Sequence, residues 1–168
     1  MIAPVFVDTN VLLYARDASE PVKQPLAAAW LAWLWRERAG RTGIQVLSEY
    51  YVNATRKLRP GLPPDDAWYD VRALMAWRPQ PLDRAVLDSG RELERRYRLS
   101  WWDSLIVAAA QQQGCTVLLS EDLQDGMMLG QVTVRSPFTL QAGEPTSRYA
   151  VAPGAASRHR PRGRPSKS

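Results

Sequence analysis

The stretch Val5-Phe6-Val7-Asp8-Thr9-Asn10 sets an apolar run directly against a carboxylate, and an amphipathic segment over residues 11–15 follows at once. Residues 3–7 read as a short buried strand, and helix signals begin near Asn10. In an open parallel sheet, ligands bind just beyond the carboxyl ends of the strands. Asp8 would therefore point into a site crevice. The rest of the chain is read for acidic residues that the same sheet edge would gather.

Working outward, residues 42–45 read as a second short strand after Gly40 and Gly43. Leu47, Tyr50, Tyr51, Ala54 and Leu58 then recur at helical spacing, which puts Glu49 in the first turn of a helix. Residues 100–113 read as a strong helix stopped by Gly114, with Asp103 in its first turn. Residues 115–119 are the most apolar strand candidate and run into Ser120-Glu121-Asp122; Val132–Arg135 reads as a last strand. Between these lie three more helices. The first carries Trp30, Trp33 and Trp35, with Ser19 as a candidate cap. It is apolar nearly all round, so it is deeply buried or meets a partner on one side. The second carries Trp68, Val71, Leu74 and Met75 behind Asp65 or Asp66 as cap, and the third spans 83–97 with Val86, Leu87 and Leu93 inward. Strands alternating with helices imply right-handed crossovers and a parallel sheet.

Composition narrows the chemistry. The 168 residues suffice for one domain and a tail, and 45% hydrophobic content supports a sizeable core. A single cysteine, Cys115, leaves no disulfide framework or cysteine-based zinc site, and the single histidine, His159, falls in the tail. No N-terminal leader is evident and no apolar run is long enough to span a bilayer, so a cytoplasmic protein without a membrane role is expected. The net charge of +5 is unevenly divided: six of the 22 basic residues and none of the 17 acidic ones lie in 145–168, which leaves the body at −1. The body is thus not a general cationic nucleic-acid binder. Arg16, Arg56, Lys57 and Arg59 are candidate phosphate contacts, or simply solvated helix ends.

Asp8, Glu49, Asp103 and Asp122 all fall at strand ends or helix starts, and these share one edge of a parallel sheet. A lone Asp after a strand is adequately explained as a helix cap. Four at matching places ask for more, because clustered carboxylates repel unless a cation relieves them. Hard oxygen donors suit Mg²⁺, or Mn²⁺, and such a site can hold a phosphodiester and activate water. Asn10, Ser104 and Ser120 would orient the ligands. Asp125 reads as a further ligand-side carboxylate or as solvated loop, and Glu121 as facing solvent.

The series Val-Asp8-Thr-Asn10-Val-Leu, Leu-Ser-Glu49-Tyr-Tyr, Trp-Asp103-Ser-Leu-Ile-Val-Ala-Ala and Leu-Leu-Ser-Glu-Asp122 resembles the PIN-domain nucleases, and among them the VapC-type toxins of toxin–antitoxin pairs. The resemblance spans roughly residues 3–138. It implies an α/β/α sandwich around a parallel sheet, over residues 1–142, and Mg²⁺-dependent endoribonuclease activity carried by Asp8, Glu49, Asp103 and Asp122. It also implies an RNA substrate, homodimers and a cognate antitoxin that blocks the acidic pocket. Asn10 matches the polar position after the first Asp. Ser120 stands at the hydroxyl position before the last one, where Thr is usual.

Residues 143–168 have no place in that pattern and are expected to be a disordered basic tail. Within it, Pro161-Arg162-Gly163-Arg164-Pro165 resembles the core of an AT-hook, whose arginines, here Arg162 and Arg164, enter a narrow A·T minor groove of DNA. A solvated tail drawn to nucleic acid in general is the other reading. Three further function classes fit the sequence less well. An aspartyl-phosphate phosphatase needs a second acid two residues after the first, and that position is Asn10. A receiver domain needs a late lysine, and residues 99–144 contain none. A catalytically silent PIN-fold module with a DNA-contacting tail would carry no reason for intact acidic ligands.

Overall fold

The computed structural model describes residues 2–143; the expectations for the tail, including the roles of Arg162 and Arg164, lie outside the described residues. The chain runs β1 (Val5–Val7), α1 (Thr9–Tyr14), α2 (Lys23–Glu37), β2 (Gly40–Arg41), α3 (Ile44–Arg56), α4 (Pro64–Leu74), α5 (Arg84–Tyr97), α6 (Trp101–Gln112), β3 (Val117–Leu119), β4 (Met128–Leu129) and β5 (Val132–Arg135). The strand order is β2-β1-β3-β5-β4. The first four strands are parallel, and β4 closes the edge antiparallel to β5. Helices flank the sheet: α1 packs on α2 and α3, α3 on α4, and α5 on α6, which lies against β3 and β5. This is the α/β sandwich that the alternation of strands and helices predicts.

β1, β3 and β5 are buried along nearly their whole length. Strands covered on both faces read as continuous apolar runs, as Val-Phe-Val and Val-Leu-Leu do. From β1 the chain leaves toward β2, and from β3 it leaves toward β5, on the opposite side. The β1/β3 junction is therefore a topological switch point, the place where an open sheet leaves a crevice beyond its strand ends.

Local chemistry moved several boundaries. β4 escaped a period-two reading because two residues are too few to show alternation; its turn into β5 needs Gly130 at φ 63. β2 ends at Arg41 and α3 begins at Ile44, so Glu49 lies in the second helical turn and not the first. Ser19 does not cap α2: its amide and hydroxyl both donate to Asp17, and α2 starts behind Val22. Pro63 stands at the N-cap of α4, so Asp65 and Asp66 sit within the first turn, where they favour the helix dipole without capping it. Asp83 does cap α5, accepting from the Val86 amide at 3.0 Å. Leu87 of α5 is exposed, and Gly90 takes its place against Leu105.

α2 has two sides. Ala27, Trp30 and Leu34 are buried, while Leu26 and Trp35 are exposed. The buried Trp30 indole donates to the carbonyls of Pro137 and Leu140 at 3.1 and 3.0 Å, which ties α2 to the turn after β5. Trp33 meets Trp30 edge-on, and Trp35 lies against Trp77. The tryptophans are thus packing residues. Burial pushes the Cys115 thiol up to about 12, so it is protonated and unreactive at neutral pH. Among the described residues, no helix is long and apolar enough to cross a membrane.

Gly40 of β2 has no room for a side chain, since a Cβ there would fall 2.4 Å from two ring carbons of the buried Trp77. Gly40→Ala is expected to destabilise the fold by about 1–3 kcal/mol through overpacking. Urea denaturation checks this, and an unchanged midpoint would show that Trp77 yields freely.

Candidate active site

The crevice at the β1/β3 junction is built from hydrogen bonds that begin on the backbone. The Asp8 amide donates to the Leu119 carbonyl at 3.0 Å, and the Ser120 amide to the Arg135 carbonyl at 3.0 Å. The sheet ladder thus extends one residue past β1 and β3 and holds Asp8 beside Ser120. Thr42 does the same on the other flank, its buried hydroxyl donating to the Val7 carbonyl at 3.2 Å. This brings the start of α3 to the same edge.

Asp8 is only 1% exposed. Its two oxygens are used differently. Oδ1 accepts from the Thr9 amide at 2.7 Å, a helix-cap interaction at the start of α1. Oδ2 accepts from the Ser120 hydroxyl at 2.8 Å and from the Asn10 amide group at 3.4 Å. The capping and site readings of Asp8 are therefore both satisfied, one by each oxygen. Ser120 Oγ in turn accepts from the Asn10 side chain and from the Asp122 amide, each at 3.1 Å. Asn10 Oδ1 accepts the Glu121 amide at 3.1 Å. One serine and one asparagine thereby pin the strand-end loop 120–122 to the residues after β1.

Glu49 joins through two residues that the sequence reading passed over. The Thr9 hydroxyl donates to Glu49 Oε2 at 2.9 Å. Gln45, one turn earlier on the same face of α3, donates to Glu49 Oε1 at 3.1 Å and to the Trp102 carbonyl at 3.4 Å. The second bond reaches the residue before Asp103. Thr9 directly follows Asp8, and Gln45 stands at i−4 from Glu49, the spacing that puts two side chains together. Asp103 is 1% exposed in the first turn of α6, its amide accepted by the Ser100 hydroxyl at 3.1 Å. A continuous path of hydrogen bonds and short backbone links thus runs from Asp122 through Ser120, Asp8, Thr9, Glu49 and Gln45 to Asp103.

Other expectations are placed elsewhere. The Ser104 hydroxyl donates to the Ser100 carbonyl at 2.8 Å, within its own helix, and not to a carboxylate. Asp125 is not solvated: it is buried, and it accepts from Arg135 Nε at 2.9 Å, the Ser136 amide at 3.0 Å and the Thr139 hydroxyl at 2.8 Å. It braces the turn after β5. Glu121 keeps about a third of its side-chain exposure, 32%, as expected of a solvent-facing residue, but it is also paired, with Lys23 Nζ 2.6 Å from its Oε1. Arg16 holds Asp70 in a two-pronged contact at 2.5 and 3.0 Å, with the Tyr50 hydroxyl also on Asp70, so its guanidinium ties α1 to α4. Arg56, Lys57 and Arg59 are exposed around the end of α3.

The donor set at this edge is carboxylate, hydroxyl and amide oxygen, with no thiol or imidazole, which is the chemistry of a hard dication. Among the described residues, no three His, Cys, Asp or Glu side chains are already arranged as a set that could hold a metal ion. Mg²⁺ tolerates that state, since it keeps several waters and takes only one or two protein carboxylates.

Comparison with known proteins places this arrangement in context. The family model described as PIN domain matches residues 5–124. Solved structures share the fold at low identity. VapC20 of Mycobacterium tuberculosis, described as a sarcin-ricin loop cleaving toxin, is 20% identical over 68% of this chain and 86% of its own, with a TM-score of 0.53. FitAB bound to a DNA fragment is 19% identical over 83% of this chain and 99% of its own, with a TM-score of 0.65. A toxin–antitoxin complex from Klebsiella pneumoniae is 18% identical over 80% of this chain and 98% of that chain, with a TM-score of 0.56. No curated protein matches the sequence.

Ser120→Ala removes a donor from buried Asp8 and an acceptor from Asn10 and the Asp122 amide. It is expected to lower stability by about 1–3 kcal/mol, the cost of leaving buried polar groups with fewer partners. Ser120→Thr retains the hydroxyl and should recover most of that loss in the same thermal denaturation experiment.

Proposed function

The chain belongs to the PIN-domain family, and from that premise we propose that it is a divalent-metal-dependent endoribonuclease acting as the toxin of a toxin–antitoxin pair. The observation that carries the reading is the hydrogen-bonded path linking Asp8, Glu49 and the backbone around Asp103 and Asp122 at the sheet's switch point. In this reading Asp8, Glu49, Asp103 and Asp122 would hold Mg²⁺ or Mn²⁺, one or two of them directly and the others through its waters, and the bound ion would supply an activated water and stabilise charge on the leaving oxygen. The protein's part is preorganisation. Ser120 and Asn10 fix the rotamer of Asp8; Thr9 and Gln45 fix that of Glu49. These donors partly neutralise carboxylates that would otherwise repel one another across a low-dielectric crevice.

The fold likeness to a sarcin-ricin loop cleaving toxin and to toxin–antitoxin and DNA-bound complexes supports an RNA substrate, a protein antitoxin and a DNA-associated complex as partners. A homodimer and a cytoplasmic location complete the proposal. The basic tail is proposed to contact DNA through Arg162 and Arg164. A body of net charge −1 offers nucleic acid little attraction of its own, whereas the tail concentrates the positive charge.

Purified protein is expected to cleave RNA with Mg²⁺ or Mn²⁺ and to lose cleavage in EDTA. Asp8→Asn should lower the rate by at least about 100-fold, the upper range for losing even the support of a metal ligand. Full activity of that variant, or activity indifferent to EDTA, refutes the proposal. For the tail, replacing Arg162 and Arg164 together by alanine should abolish a mobility shift on A·T-rich duplex and leave RNA cleavage intact. An unchanged shift disposes of the minor-groove role.

A further inference from the structure

Lys23 opens α2, 98 residues before Glu121, yet its ammonium lies against the crevice rim. Nζ is 2.6 Å from Glu121 Oε1 and 3.4 Å from the Tyr14 hydroxyl. It also stands 4.9 Å from the centre of the Tyr14 ring and 5.2 Å from that of Phe138, and these two rings meet edge to face. Two aromatic faces and one carboxylate thus hold a cation whose side chain keeps about a third of its exposure, 34%. Burial pulls the Lys23 ammonium down, but the Glu121 hydrogen bond and charge outweigh it and leave it above its usual range. Burial, then the contact with Glu121, pushes the Tyr14 hydroxyl up to about 12, so it remains neutral.

Exposed ion pairs of this kind are worth little in stability. Position makes this one different. Glu121 lies between Ser120, which donates to Asp8, and Asp122, and its amide is already held by Asn10. The loop 120–122 is therefore gripped twice: by Asn10 and Ser120 from the β1 side, and by Lys23 from α2. Without Lys23, the Glu121 carboxylate keeps the Tyr14 hydroxyl beside it but loses its cation, and the loop that carries Asp122 loses its grip from α2.

We propose that Lys23, caged by Tyr14 and Phe138, is a positioning residue that clasps Glu121 and so sets Asp122 for divalent-cation binding. It acts through Glu121 and does not touch the reacting atoms. The inference rests on the metal-site reading above.

The test uses Mn²⁺ as probe on the full chain, with calorimetry for affinity and amide hydrogen exchange for the loop. K23M should weaken Mn²⁺ binding roughly tenfold, as loss of a ligand's support does. It should also speed exchange at the Glu121 and Asp122 amides while leaving α6 amides unchanged. K23R, which keeps the charge and the cation–π contacts, should restore both. E121Q should shift both readouts in the same direction and serves if K23M folds poorly. Wild-type affinity and wild-type exchange in K23M overturn the clasp. Weaker RNA binding in K23M with Mn²⁺ affinity intact also overturns it, because Lys23 would then be a phosphate contact. Wild-type protein that binds no Mn²⁺ refutes the metal-site reading instead, and exchange at Glu121 still decides whether Lys23 holds the loop.

Discussion

A buried carboxylate at the end of the central strand constrains everything near it. Asp8 is almost wholly out of water, and taking a carboxylate from water costs several kcal/mol unless its oxygens find donors. Its donors include the Thr9 amide behind it, Asn10 two residues on, and Ser120 from the neighbouring strand end. The last is decisive, since it exists only when β1 and β3 pair in the observed register, Val7 beside Leu119. A slip of one residue would turn Val5–Val7 inside out and also leave Asp8 without its hydroxyl partner. Core packing and polar satisfaction thus select the same register, the agreement between levels that lets a sequence specify one structure.

From this anchor the polar edge is organised in two halves. On the β3 side, Ser120, Asn10 and Lys23 restrain the loop carrying Asp122. On the α3 side, Thr9 and Gln45 restrain Glu49 and lead to the start of α6. The periphery is held by further devices. Arg16, Asp70 and Tyr50 join α1, α4 and α3. Asp125 and Arg135, both buried, join the loop after β3 to β5. Buried pairs of the second kind are hard to replace singly, because either partner left alone is an uncompensated charge.

Much of this was legible in the chain because it is local. The continuous apolar runs of β1 and β3, the α6 helix with its Gly114 stop, and the acidic residues at strand ends all follow from neighbours a few residues apart. Asp8, Asn10, Ser120 and Asp122 could be named because strand ends and helix starts of a parallel sheet must share an edge. Failures occurred where short elements or distant partners decide. β4 and β2 are too short for periodicity, and the shift in the start of α3 moved Glu49 by a turn. Ser104 is the right residue type for orienting a ligand, but its hydroxyl donates to the Ser100 carbonyl at the start of its own helix.

What the sequence determined by itself was the class of fold, the end of the sheet at which chemistry would be sought, and the uneven division of charge between body and tail. Each depends on pattern and covalent order alone. The tertiary structure decided which polar side chains meet. That Lys23 pairs with Glu121, 98 residues away, and Ser120 with Asp8, 112 residues away, depends on strand register and helix docking. These are set by burial of the whole core, and no local window of residues contains that information.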